Sequence, residues 1–189
     1  TSAPVWASRI ARIRGSVLKT SPAAPNFITI ICMVELRPSC FKTIGLLPCM
    51  RIYIAGKLST SSERESLNEI ATLCENLGFE TLLPHREVGL FYEIKNAEVI
   101  FHKDIFGGLR KCDVVVALLE GLHVGAGTAW ELGFAYAQGI QCIGLKTDES
   151  LEEAADYLSP ILLSSVDIVN TKEALRDRLN SFKNARIED

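Results

Sequence analysis

The sequence predicts an α/β protein: an open parallel sheet with helices on both faces. Two observations carry this. From residue 50 onward, short apolar segments alternate with stretches of helical length and pattern. One of those segments, "DVVVALLEG", is apolar at consecutive positions rather than alternate ones, as a central parallel strand covered on both faces must be.

Taken in order, "RIYIAG" is a short buried strand ending at Gly56. "SSERESLNEIATLCENLG" is a helix. Ser62 and Glu65 form a capping-box signature, Leu67, Ile70, Ala71, Cys74 and Leu77 make its apolar stripe, and Gly78 stops it. "FETLLP" is the second strand. A polar, aromatic loop, "HREVGLFYEIKNAE", follows and gives way to a helical stretch running toward Lys111. "DVVVALLEG" is the third strand and "GTAWELGFAYAQG" the helix after it. Strand "IQCIGL", acidic helix "ESLEEAADYL", short strand "VDIV" and final helix "KEALRDRLNSF" complete five strands.

The first 49 residues read differently. Pro4, Pro22, Pro25, Pro38 and Pro48 interrupt every candidate element. Six basic residues face the single acid Glu35, a net charge of +5, which leaves −8 for the remainder of a chain whose total is −3. That composition is transit-peptide-like, but the common strand opening "MRIYIAG" at Met50 favours an upstream extension. The expected division is a poorly structured N-terminal extension over 1–49 and an α/β domain over 50–189.

Composition narrows the function classes. Apolar content of 48% and charged content of 23% are those of a soluble globular protein. The small negative net charge points to neither a nucleic-acid polymer nor a membrane surface as partner. The longest apolar run, "FITIICMV", is far too short for a membrane span. The six cysteines form no CxxC pair and share no ligand spacing with His85, His102 or His123, so no metal and no other cofactor is expected. Reduced cysteines in apolar patterns suggest a cytoplasmic location.

In such sheets, ligands bind beyond the carboxyl ends of the strands. Three segments leave strands there: "AGKLSTSSER", "PHREVG" and "EGLHVGAGTAWE". Glu131 stands out in the third as the lone acid of an apolar, small-residue stretch. It reads as lying in the first helical turn, where the dipole favours its ionised form, with Gly125, Ala126 and Gly127 leaving room for a ligand. An ionised carboxylate at a ligand crevice suits a nucleophile toward an anomeric carbon. Spacing alone leaves a second reading equally open, with Thr128, Glu131, Ala135 and Gln138 forming the helix's solvated stripe. The GxGTxxE pattern is not a dinucleotide fingerprint. Around the first strand-to-helix turn, Gly56, Lys57 and Ser59 form an anion site or an ordinary helix start.

Together, "RIYIAG", "D…LRKCDVVVALLEG" and "GTAWELGFAYA" resemble the nucleoside 2-deoxyribosyltransferase family, which includes the 2′-deoxynucleoside 5′-phosphate N-hydrolases. The resemblance spans about residues 50–170. It implies a flavodoxin-like, Rossmann-like fold and cleavage of the N-glycosidic bond of a small-molecule deoxynucleoside or deoxynucleotide through a covalent deoxyribosyl-enzyme intermediate. By that resemblance Glu131 is the nucleophile, Tyr53 orients it, and Asp104 helps the base leave. Asp113 is a structural aspartate, and His85 and Arg86 resemble a base-side or sugar-side loop. "YLSPIL" resembles a stretch whose serine reaches a neighbouring subunit's phosphate, which brings in Ser159 and a homodimer or larger homo-oligomer.

The sequence departs from the family pattern twice. Asp104 stands one residue further from Asp113 than is usual. Gly125, six residues before Glu131, replaces the aspartate of the transferases and the serine of the monophosphate hydrolases, so water and an acceptor base both stay open as second substrate. Two other classes stay in view. One is a phosphoribohydrolase, whose PGGxGTxxE motif overlaps "VGAGTAWE" in part. The other is a non-catalytic nucleotide-binding domain.

Overall fold

The structure is a computed structural model and describes residues 49–188 apart from Tyr92, with the side chains of Lys95 and of residues 186–188 left undescribed. The extension expected over 1–49 therefore lies, up to residue 48, outside the described residues.

Five strands form one parallel sheet: β1 (Arg51–Ala55), β2 (Glu80–Leu82), β3 (Val114–Leu118), β4 (Gln141–Leu145) and β5 (Asp167–Val169), in the spatial order β2-β1-β3-β4-β5. The chain moves outward from β1 to β2, then crosses back to lay β3 on the other side of β1. Connections that leave in opposite directions open a crevice above the carboxyl ends of β1 and β3. This is the flavodoxin-like arrangement the sequence predicts.

Helix α1 (Ser61–Asn76) follows β1, and a short α2 (Pro84–Glu87) opens the segment after β2. Then α3 (Ala97–Phe101) runs directly into a π-helical turn over His102–Gly108 and a 3₁₀ turn over Leu109–Lys111. Helix α4 (Ala126–Ala137) follows β3, α5 (Leu151–Ala154) and α6 (Pro160–Ser165) separate β4 from β5, and α7 (Lys172–Glu188) closes the domain. No described helix is long and apolar enough to cross a membrane.

Strand periodicity divides the core into two layers. Ile52, Ile54, Val114, Val116, Ile143 and Leu145 face α1 and α7. The residues between them, including Tyr53, Ala55, Val115 and Ala117, face the π turn, α4 and α6. Tyr53 is thereby committed to the α4 side, a step that matters for the site. In the first layer, Leu175 and Leu179 of α7 are wholly buried. Leu175→Ala is expected to cost about 2–5 kcal/mol through lost burial and the remaining cavity. Urea unfolding monitored by circular dichroism checks this, and a loss below about 1 kcal/mol would show that α7 does not complete the core.

Two local expectations are corrected. The capping box on α1 is built by Thr60 and Glu63, not Ser62 and Glu65: Thr60 Oγ1 accepts from the Glu63 N–H at 3.1 Å, and Glu63 Oε2 accepts from the Thr60 N–H at 2.8 Å. The two pairs have the same spacing, and the end of the β1 loop selects the earlier one. The acidic helix after β4 is a single turn, its box made by Ser150 and Glu153, followed by a separate helix starting at Pro160. Proline favours the first helical position, and Ser159 Oγ caps that start by accepting from the Ile161 N–H at 3.3 Å. Asp113, expected to be structural, holds the start of β1: its Oδ2 accepts from the Arg51 N–H at 2.9 Å.

Candidate active site

Helix α4 begins at Ala126, so Glu131 is its sixth residue and lies in the second turn rather than the first. The helix-dipole effect expected there has faded at that depth. The solvated-stripe reading also fails. Thr128 and Ala135, which share that stripe, are 3% and 0% exposed, so this face of α4 turns inward onto the sheet. Glu131 consequently meets Tyr53, which rises from β1 with its ring wholly buried. Tyr53 Oη donates to Glu131 Oε1 at 2.7 Å, joining residues 78 positions apart.

Asp104 comes to the same place from the π turn. A π turn takes up one residue more than an α turn. Asp104 is 8% exposed, and its Oδ1 accepts no hydrogen bond from any described residue.

The electrostatics follow from the burial. Desolvation raises the Glu131 carboxyl to about 7; the nearby Asp104 adds to the rise, and the Tyr53 hydrogen bond opposes it. Desolvation lifts Asp104 to about 6. Tyr53 is held far above its ordinary value, by burial first and then by the charge and hydrogen bond of Glu131, so it stays a neutral donor. Two carboxyls that gain or lose protons near neutrality, beside a fixed donor, suit acid–base and nucleophilic chemistry.

Glu131, Asp104 and Gly127 line one open cavity of about 480 Å³ together with Phe91, Phe101 and Trp130. A Cβ on Gly127 would meet nothing within 4 Å, so this residue borders open space. Phe101 and Trp130 meet edge to face with ring centroids 5.6 Å apart, and both remain partly exposed at 41% and 49%. This aromatic wall beside two carboxyls offers a stacking surface for a flat ring. The sequence reading missed it, because Phe91, Phe101 and Trp130 share no spacing; only topology gathers them.

The other expected site residues are placed as follows. Lys57 runs along Gly125: a Cβ at position 125 would lie 3.1 Å from Lys57 Cγ, so the lysine stem fills the space a side chain there would need. Its Nζ is 3.8 Å from Glu63 Oε1, a loose pair, and the two line a smaller polar pocket at the α1 start. Gly56 packs under Leu67, and Ser59 is exposed in the loop before the Thr60 cap. His85, partly buried, makes no ring hydrogen bond with described residues, and burial together with Arg86 and Arg64 lowers its pKa. Arg86 turns to α1, where its Nε donates to Asn68 Oδ1 at 2.7 Å and its Nη1 lies 3.5 Å from Glu75. Ser159 caps α6 and is not among the residues lining the Glu131 cavity.

Solved structures with this fold include a conserved protein from Enterococcus faecalis V583, with a TM-score of 0.54 at 20% identity over 70% of this chain and 98% of that one. A 2-deoxyribosyltransferase from Bacillus psychrosaccharolyticus gives 0.56 at 17% identity, over 67% of this chain and 90% of that one. A CMP N-glycosidase from Clostridium botulinum shares 20% identity over 69% of this chain and 98% of that one, at a lower TM-score of 0.44. No curated protein matches the sequence significantly. The family model for nucleoside 2-deoxyribosyltransferases matches residues 52–175, a span from β1 into α7 that contains Tyr53, Asp104 and Glu131. The chain belongs to the nucleoside 2-deoxyribosyltransferase family.

Proposed function

We propose that the protein cleaves the N-glycosidic bond of 2′-deoxynucleosides or their 5′-monophosphates through a deoxyribosyl ester on Glu131. The observation that carries this is the Tyr53–Glu131 hydrogen bond beside the buried Asp104, at the crevice between β1 and β3. Tyr53 occupies Oε1 and so leaves Oε2 of the ionised carboxylate to attack C1′. The C1′–N bond breaks with its electrons going to the base, and the protonated Asp104 supplies the base's proton. Water or a second base then attacks C1′, gives its proton to Asp104, and releases Glu131. A 2′-deoxy sugar suits this route, since no electron-withdrawing 2′-hydroxyl opposes the positive charge building at C1′.

A 5′-phosphate is the proposed partner of the Lys57 ammonium, whose stem packs beside Gly125 and which lines the smaller pocket at the start of α1. The aromatic wall of Phe101 and Trp130 suits the base. The homo-oligomer inferred through Ser159 remains part of this proposal.

The test is to incubate the protein with 2′-deoxynucleosides and with their 5′-monophosphates, each with and without an acceptor base, and to identify products by liquid chromatography. Release of free base, or base exchange, is the expected result, with the monophosphates preferred at least tenfold in kcat/KM. Binding without turnover in every arm would leave a nucleotide-binding domain and refute the enzyme reading.

A further inference from the structure

Lys146 follows β4 and is wholly buried, yet nothing in the chemistry above uses it. Its Nζ lies 3.0 Å from Asp148 Oδ1 and 2.6 Å from Glu149 Oε1. It also donates to two carbonyls of the segment that leaves β3: Leu119 O at 3.4 Å and Gly121 O at 3.3 Å. The Tyr157 ring covers it, with the ring centroid 5.4 Å away. Asp148 turns its second oxygen to the same segment and accepts the Gly121 N–H at 2.6 Å. Thr147 adds a hydrogen bond to Glu120 Oε1 at 2.6 Å. Residues 146–148 thus grip both polar groups of Gly121 and the positions beside it.

Asp148 and Glu149 take up two of the three N–H groups of this ammonium, and the third is left for the carbonyls of Leu119 and Gly121. Here its hydrogen bonds converge on one turn. Gly121 has φ +83, a left-handed conformation, and a Cβ on it would lie 3.0 Å from Lys57 Nζ. From Gly121 the chain runs four residues to Gly125, against which the Lys57 stem packs, and there α4 begins. Gly121 thus borders the Lys57 ammonium and stands four residues before the Gly125 that precedes α4.

We propose that Lys146 is a positioning residue: with Asp148 it clamps the segment 119–125 and so fixes Lys57 and the entry to α4 in their substrate-binding arrangement. The substrate arm of this proposal rests on the function proposed above; the clamp itself does not. Glu131 and Tyr53 are seated by core packing on β1 and the body of α4, so loss of the clamp acts on binding more than on the chemical step.

The test is the triple variant K146M/D148A/E149A, which removes the buried cation together with the carboxylates that would otherwise be stranded. Amide hydrogen exchange needs no substrate and reads the clamp directly. The expected result is exchange at Gly121–Gly125 at least tenfold faster, with β1 and β3 amides unchanged. KM for 2′-deoxynucleoside 5′-monophosphates should rise at least tenfold while kcat stays within threefold. Exchange and KM within twofold of the wild type would overturn the proposal. So would equally accelerated exchange in β1 and β3, which would make the cluster part of global stability. If the wild type turns over none of these nucleotides, the proposed function fails, and the exchange measurement still decides the clamp.

Discussion

Glu131→Gln should lose at least three orders of magnitude in kcat and, at pH 8, unfold at a higher temperature than the wild type. The activity loss corresponds to about 4 kcal/mol of transition-state stabilisation. Glutamine keeps the shape of the side chain and can still accept from Tyr53 Oη, but it cannot form the glycosyl ester. Substrate affinity should change little, because the lost interaction is made mainly in the transition state. The stability gain follows from linkage. Burial raises Glu131 to about 7 in the folded protein, above its ordinary value of 4.5. A raised carboxyl contributes its full stability below the unfolded value and loses it as pH rises through the folded one. At pH 8 the wild type therefore carries a destabilising charge that glutamine lacks, worth on the order of 3 kcal/mol. Below about pH 4 the two proteins should melt together. Thermal unfolding at pH 4 and pH 8 checks this. A variant less stable than the wild type at both would make Glu131 structural. One that keeps more than about a tenth of wild-type kcat, a loss of only about 1.4 kcal/mol, is not missing its nucleophile.

The pH dependence of kcat/KM should be bell-shaped, with its maximum between the values of about 6 for Asp104 and about 7 for Glu131. In the proposed mechanism the reactive state has the proton on Asp104 and the charge on Glu131. The pair holds one proton between its two titrations, and the apparent values belong to the pair. Tyr53→Phe removes the hydrogen bond that holds Glu131 down, so the optimum should move alkaline and the maximum fall. Each unit by which Glu131 rises costs about tenfold in the reactive fraction. Asp104→Asn should lose about 10²- to 10⁴-fold in rate, the range for a general acid. Its profile should rise through the Glu131 titration to a plateau with no alkaline decline. An alkaline fall that survives in Asp104→Asn would assign the essential proton to another group. An unmoved bell of full height in Tyr53→Phe would show that Tyr53 does not hold the carboxylate.

The parts of this molecule legible in its sequence are those written locally. β3 announces itself through consecutive apolar residues, and α1 through its Leu67–Ile70–Cys74 stripe. Tyr53 and Glu131 are separable from their neighbours by motif, and strand alternation then places Tyr53 on the α4 face. Other features depend on contacts that no spacing encodes. The π turn over His102–Gly108 carries Asp104, and no spacing in the sequence marks it. The pKa of Glu131 runs against the expectation from helix position, because burial beneath the sheet crevice outweighs a dipole that fades after the first turn. Lys146, just beyond the strand "IQCIGL", has no spacing that marks it, and contacts with the segment after β3 and with Tyr157 make it one of the most buried side chains. Gly125 reads as a blank where relatives discriminate substrates. Its meaning comes from Lys57, 68 residues earlier in the chain, whose stem lies beside it.

The covalent ester on Glu131 is the central claim, and peptide mass mapping of protein quenched in acid during turnover tests it most directly. Wild-type protein mixed with a 2′-deoxynucleoside 5′-monophosphate should carry a deoxyribosyl phosphate adduct on the peptide containing Glu131, localised to that residue by fragmentation. The adduct should vanish when the substrate is exhausted, and it should be absent from Glu131→Gln. Rapid product formation with no adduct at any quench time, or an adduct on another residue, would contradict it.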